Sequence, residues 1–167
     1  SIDILVNNAG GIVGLAPMDE IEDQSWDSTF AINMTAPFIL SRLALRDMKK
    51  RSWGRIINIS SIGVKYAGSA ETLHYSASKA GLEAISFSLA KIAAPHNVLV
   101  NVIRAGVTDT DFHSRLGRSI MHMEDRTKLI PLKRMARPEE IAEMVVFLSS
   151  EKSSYMTGSL LTVAGGE

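Results

Sequence analysis

The chain has 167 residues, 18 basic and 18 acidic side chains, 46% apolar and 22% charged residues, and no cysteine. That length predicts one domain with a real core, the balanced charge argues against a nucleic-acid or anionic-membrane surface, and the missing thiols exclude a disulfide framework and a thiolate metal site. Apolar runs such as Ile4-Leu5-Val6 are far too short to cross a membrane, no basic-then-apolar leader is expected, and His74, His96, His113 and His122 lack metal-ligand spacing, so the expectation is a cytoplasmic protein with no metal, no nucleic acid and no membrane partner.

Ile2 to Val6 reads as a strand ended by Asn7-Asn8-Ala9-Gly10-Gly11. A helical pattern follows from about Asp23 to Lys50, with a break or kink near Pro37. Arg55 to Ile59 is a second strand. Roughly His74 to Ala93 is a helix closed by Pro95 and Asn97, and Val98 to Ile103 is a third strand. Residues 107 to 136 read as irregular. Pro138-Glu139-Glu140 opens a helix well, with proline in the first turn and acids at the positive dipole end, and that helix runs to about Ser149. Leu160 to Val163 is a last strand before Gly165-Gly166. Strands alternating with helices predict an α/β fold around a parallel sheet. Ligands bind such sheets beyond the carboxyl ends of the strands. Asn7 to Gly10, Ser60-Ser61 and Ala105 to Thr110 should therefore share one edge.

Tyr75 and Lys79 lie four residues apart, on one face of the predicted helix. An unperturbed phenol, with a pKa of about 10, is a poor base near neutral pH. A neighbouring ammonium is expected to lower it. With Ser61 or Ser60 closing the second strand, the arrangement reads as a proton donor and acceptor beside a hydroxyl.

Together these residues resemble the short-chain dehydrogenase/reductase family over essentially the whole chain. Asp3 to Gly10 resembles its N-N-A-G strand end, and Asn33 falls at the family's asparagine. Gly54 to Ser61 resembles the strand leading to its serine, Tyr75 and Lys79 fit Y-x-x-x-K, and Ala105 to Thr110 resembles P-G-x-x-x-T. The resemblance implies a Rossmann-like doubly wound sheet in three α/β/α layers, with residues 1–167 as the C-terminal part of one domain and a substrate lid at about 111–136. It implies hydride transfer between NAD or NADP and a small carbonyl or alcohol substrate. Tyr75 would move the proton, Lys79 would tune it and hold the nicotinamide ribose, and Ser61 would steady the substrate oxygen. Asn33 would hold a relay water. Asn8, Ala9 and Gly10 would lie by the adenosine-side ribose, with Gly106, Thr108 and Thr110 near the nicotinamide. Counting from Asn33 favours Ser61 over Ser60 for the serine role. Relatives of this kind imply a homo-oligomer, a dimer or tetramer built through the two long helices.

The family's glycine-rich turn, T-G-x-x-x-G-x-G, has no counterpart among these residues. The chain opens in what resembles the family's fourth strand, so a longer enzyme is expected. Ala105 replaces the usual proline, and Ala164 stands where aspartate is common. The lid combines Met121, Met123, Leu129 and Ile130 with Arg115, Arg118 and Arg126, which suits a substrate with an acidic or carrier-bound tail, or simply an amphipathic cover. β-Ketoacyl-carrier-protein reductases are among the similar groups. The competing reading is a catalytically silent piece of the fold that acts as an interaction or oligomerisation module.

Overall fold

A computed structural model describes all 167 residues. Four strands, β1 (Ile4–Asn7), β2 (Gly54–Ser61), β3 (Val98–Ala105) and β4 (Leu160–Val163), form one parallel sheet in the order β1-β2-β3-β4. Their register sets Asn7 beside Asn58, Ser61 beside Ala105, and Ala105 beside Val163. The polar strand ends thus meet at one edge, as expected of an open parallel sheet.

The helices are α1 (Asp23–Phe30), α2 (Ala36–Arg51), α3 (Leu73–Ala93), α4 (Phe112–Arg115), α5 (Ile120–Leu129) and α6 (Pro138–Ser149). On one face of the sheet, Ala44, Leu45 and Met48 of α2 and Leu89, Ala90 and Ala93 of α3 pack on Ile56, Val98 and Val100. On the other face, Leu148 of α6 packs on Ile57, Ile59 and Ile103. This gives three layers. It also accounts for adjacent apolar residues such as Ile56 and Ile57 or Val102 and Ile103 in β2 and β3, because both faces of these strands are covered. Strand β1 ends the sheet on one side. Leu5 packs into the α2–α3 face, while Ile4 and Val6 remain 42% and 38% exposed.

The helix expected from Asp23 to Lys50 is interrupted by a π turn, Ala31–Thr35, just ahead of Pro37. Proline has no N–H to offer the carbonyl four residues back, and its ring would clash there. That carbonyl belongs to Asn33, so the wide turn forms around it. The segment expected to be irregular contains α4 and α5. Ser119 caps α5 by accepting from the His122 N–H at 3.1 Å, a capping signal that the charged, Met-rich composition of the segment obscured.

Candidate active site

Helix α3 begins at the carboxyl edge of the sheet, and its first turns carry the site. Tyr75 and Lys79 face the same side, with the Lys79 ammonium 6.0 Å from the centre of the Tyr75 ring. Lys79 is 3% exposed and donates to the Ile59 carbonyl at 2.8 Å. An ammonium has three donors, so two remain for other partners. Burial pulls its pKa down to about 8, because a dry setting disfavours the charged form.

The Tyr75 phenol does not follow the expectation that Lys79 would lower it. Burial holds it above the ordinary tyrosine value, and the Ser61 hydroxyl beside it offsets only part of that rise. The direction of that shift favours the protonated phenol.

The two serines have different environments. Ser60 is 3% exposed and donates to Glu83 Oε1 at 2.6 Å. Ser61 ends β2, accepts from the Gly63 N–H at 3.1 Å, and stands beside Tyr75.

Asn33, fully buried, acts through its side chain as a clamp. Its amide donates to the carbonyls of Gly11 at 2.6 Å and Thr29 at 2.9 Å, and its oxygen accepts from the Gly11 N–H at 3.0 Å. The clamp draws the loop after β1 tightly over Lys79. A Cβ at Gly10 would lie 2.7 Å from Asn33 Oδ1 and 2.9 Å from Lys79 Nζ, so a larger residue there would displace the Asn33 or Lys79 side chain. Asn8, Ala9 and Gly10 are exposed at this edge. Across the edge, a Cβ at Gly106 would lie 2.6 Å from the Ala164 backbone. Thr108 donates to the Gly106 carbonyl at 3.1 Å and bridges to Ala136. Thr110 is exposed, and its hydroxyl accepts from the Phe112 N–H at 3.4 Å, which places it at the start of the lid.

Several site residues escaped sequence reasoning. Phe112 lies against Tyr75 at 6.0 Å between ring centres. His74 is fully buried and sets its Nε2 3.2 and 3.1 Å from the Val13 and Gly14 carbonyls. Glu83 and Arg104 form an ion pair under the site. Only the last had a signal, a glutamate one turn beyond Lys79 and an arginine inside an apolar strand. The lid cations are not a free rim. Arg118 pairs with Glu71 at 3.0 Å, Arg115 with Asp111 at 3.5 Å, and Arg126 with Glu167. Burial and the cations Arg118 and Arg126 hold His113 below its usual value. No helix is long and apolar enough to cross a membrane.

A family model described as enoyl-(acyl carrier protein) reductase matches residues 1–167. The chain is 42% identical over 165 residues to the 3-oxoacyl-(acyl-carrier-protein) reductase FabG of Aquifex aeolicus, covering 99% of this chain and 65% of that protein. It is 40% identical to nodulation protein G of Azospirillum brasilense, over 99% of this chain and 65% of that protein. Among solved structures it is similar to YwfH, an NADPH-dependent reductase involved in bacilysin biosynthesis, with a TM-score of 0.89 at 30% identity over 98% of this chain and 66% of that one. A candidate gluconate dehydrogenase from Agrobacterium tumefaciens gives a TM-score of 0.92 at 32% identity over 99% of this chain and 65% of that one. The chain spans about 65% of the length of the curated relatives it matches.

Proposed function

The chain belongs to the short-chain dehydrogenase/reductase family, and on that premise we propose that it carries the proton-transfer half of an NAD(P)H-dependent reductase of 3-oxoacyl thioesters or similar carbonyl compounds. The observation that carries this reading is the Tyr75 phenol set between the Ser61 hydroxyl and the buried Lys79 ammonium. Residues 1–167 are taken as part of one domain.

The nicotinamide end of a dinucleotide fits the residues present. Lys79 keeps two donors after bonding Ile59. The loop at Gly10 passes against Lys79 and Asn33 with no side chain between them, which leaves its backbone beside the Lys79 ammonium. Lys79 and Tyr75 would hold the ribose, Gly106 and Thr108 would line the nicotinamide side, and Asn8, Ala9 and Gly10 would lie toward the adenosine. Thr110 would contribute from the mouth of the lid. A nicotinamide held there would supply the hydride.

This chain's own residues do the rest. Ser61 donates to the substrate carbonyl oxygen and steadies the charge that develops there. Tyr75, held protonated by burial, gives its phenolic proton to that oxygen. Lys79, with a pKa of about 8, loses and regains a proton near neutral pH and so resupplies Tyr75. The Asn33 carbonyl, which Pro37 cannot engage, holds a water that links Lys79 to solvent. Phe112 covers the ring and excludes bulk water.

A row of exposed apolar side chains, Phe38, Ile39 and Leu43 on α2 with Phe87 and Ile92 on α3, supports a homo-oligomer through these helices, to be read by light scattering. The protein is taken as cytoplasmic. The test of function is NADPH fluorescence on binding, followed by NADPH oxidation with a 3-oxoacyl thioester as substrate. Saturable binding with turnover is the expected result. Binding of neither NADPH nor NADH would overturn the reading.

A further inference from the structure

Beneath the site lies a buried charged cluster that the chemistry above does not use. Glu83 and Arg104 have side chains 8% and 16% exposed. Arg104 Nε donates to Glu83 Oε1 at 3.0 Å and Nη2 to Oε2 at 2.6 Å, a two-pronged pairing. Ser60 adds a third bond to Oε1 at 2.6 Å. The three residues come from three elements, α3, β3 and β2, and Ser60 and Arg104 stand side by side in the sheet.

We infer that Glu83 and Arg104 are positioning residues that fix Ser61 relative to Tyr75. Glu83 stands one turn beyond Lys79 on the face that meets the sheet. Lys79 holds the Ile59 carbonyl, and Glu83 holds the side chain of Ser60. The backbone entering Ser61 is thus pinned twice to the helix that carries Tyr75. Arg104 extends the same anchor to β3, one residue before Ala105 and two before Gly106. Both walls of the site therefore take their height along α3 from one carboxylate.

A need for stability does not account for the cluster. An ion pair this deeply buried is often replaced by apolar residues of similar volume at no cost in stability, and the same interface is held by apolar packing only two to three turns along α3. What apolar packing cannot supply is a directional restraint. Misplacing a reacting group by about 1 Å costs on the order of a hundredfold in rate, and that is the quantity the cluster protects.

This inference rests on the reading of Tyr75 and Ser61 as proton donor and partner. Its test is therefore given a readout that needs no turnover. The double variant E83L/R104M removes both charges together and avoids leaving one buried alone. S60A removes a single bond and keeps the ion pair. For each, folding is checked by circular dichroism, and the Tyr75 phenol is titrated by NMR with 13C-labelled tyrosine, its signal assigned with Tyr75→Phe. The expected result is a folded double variant whose Tyr75 titrates at higher pH than in the wild type, because the Ser61 hydrogen bond is weakened. S60A should move in the same direction by less. Where the wild type reduces a carbonyl substrate, kcat of the double variant should fall roughly tenfold to a hundredfold with KM for substrate nearly unchanged. A folded double variant with an unmoved Tyr75 titration overturns the inference. If the double variant does not fold, S60A decides: an unmoved titration there overturns the inference and an upward shift supports it. A moved titration in a protein that turns over no substrate leaves the inference standing and defeats the functional reading instead.

Discussion

The two ends of α3 meet the same sheet by different means. Its C-terminal turns set Leu89, Ala90 and Ala93 on Ile56, Val98 and Val100, a dry apolar contact. Its N-terminal turns reach the sheet through Lys79 to Ile59, Glu83 to Ser60 and Arg104, and Ser86, which accepts from Asn58 at 2.8 Å. Asn58 in turn accepts from Asn7 at 2.7 Å. Apolar packing is non-directional and scales with the area removed from water, so it secures the helix without aiming any atom. Hydrogen bonds specify direction and are costly when broken in a buried place. The fold is thus held mainly at one end of this interface and aligned at the other, and the chemistry is expected only at the aligned end.

Mutations at the two ends should therefore separate turnover from stability. The largest effect is expected from Tyr75→Phe, which should lower reductive kcat by about 10²–10⁴ with no change in melting temperature. A variant with near-normal kcat would remove the proton-transfer role from the polar end. At the apolar end, Ile56→Ala should cost about 2–5 kcal/mol in urea denaturation and leave kcat of the folded fraction unchanged.

Lys79→Met should lower turnover and yet raise stability at neutral pH. The folded pKa of about 8 lies below the unfolded value of about 10.4, so the unfolded chain binds the extra proton between these limits. Wild-type stability should then rise as pH climbs from about 8 to about 10. Below pH 8 the buried charge costs roughly 3 kcal/mol, which the methionine variant recovers. Denaturation of both proteins at several pH values in this window checks the sign, and a gap that fails to narrow would contradict the burial of the charge. The smallest effect is expected from Arg115→Ala on the lid, whose pair with Asp111 is open to solvent. It should change stability by no more than about 0.5 kcal/mol.

The same contrast governs what could be read from sequence. The apolar end was legible, since short apolar runs alternating with long helical patterns placed every strand and long helix within a few residues. At the polar end, the resemblance to the family singled out Tyr75, Lys79 and Ser61 in the sequence, and the fold brings the three together. The clamp made by the Asn33 side chain was not, because it depends on how a π turn brings the residue to Gly11. Glu83 and Arg104 lie 21 residues apart, and nothing local announces that they meet. The raised phenol of Tyr75 was misjudged for a related reason: spacing shows that a cation is near, but only the folded packing shows how dry the pair is.

In the proposed reduction, Lys79 supplies, through Tyr75, the proton that the carbonyl oxygen takes up. The most direct test is the pH dependence of reductive kcat/KM for the nicotinamide cofactor, which reports on the cofactor-free enzyme. The expected profile is level below pH 7 and falls through a single-proton step centred near 8, and the step should be missing from the residual activity of Lys79→Met. A profile that stays level from pH 7 to about 9.5 in an active wild-type enzyme would contradict the claim.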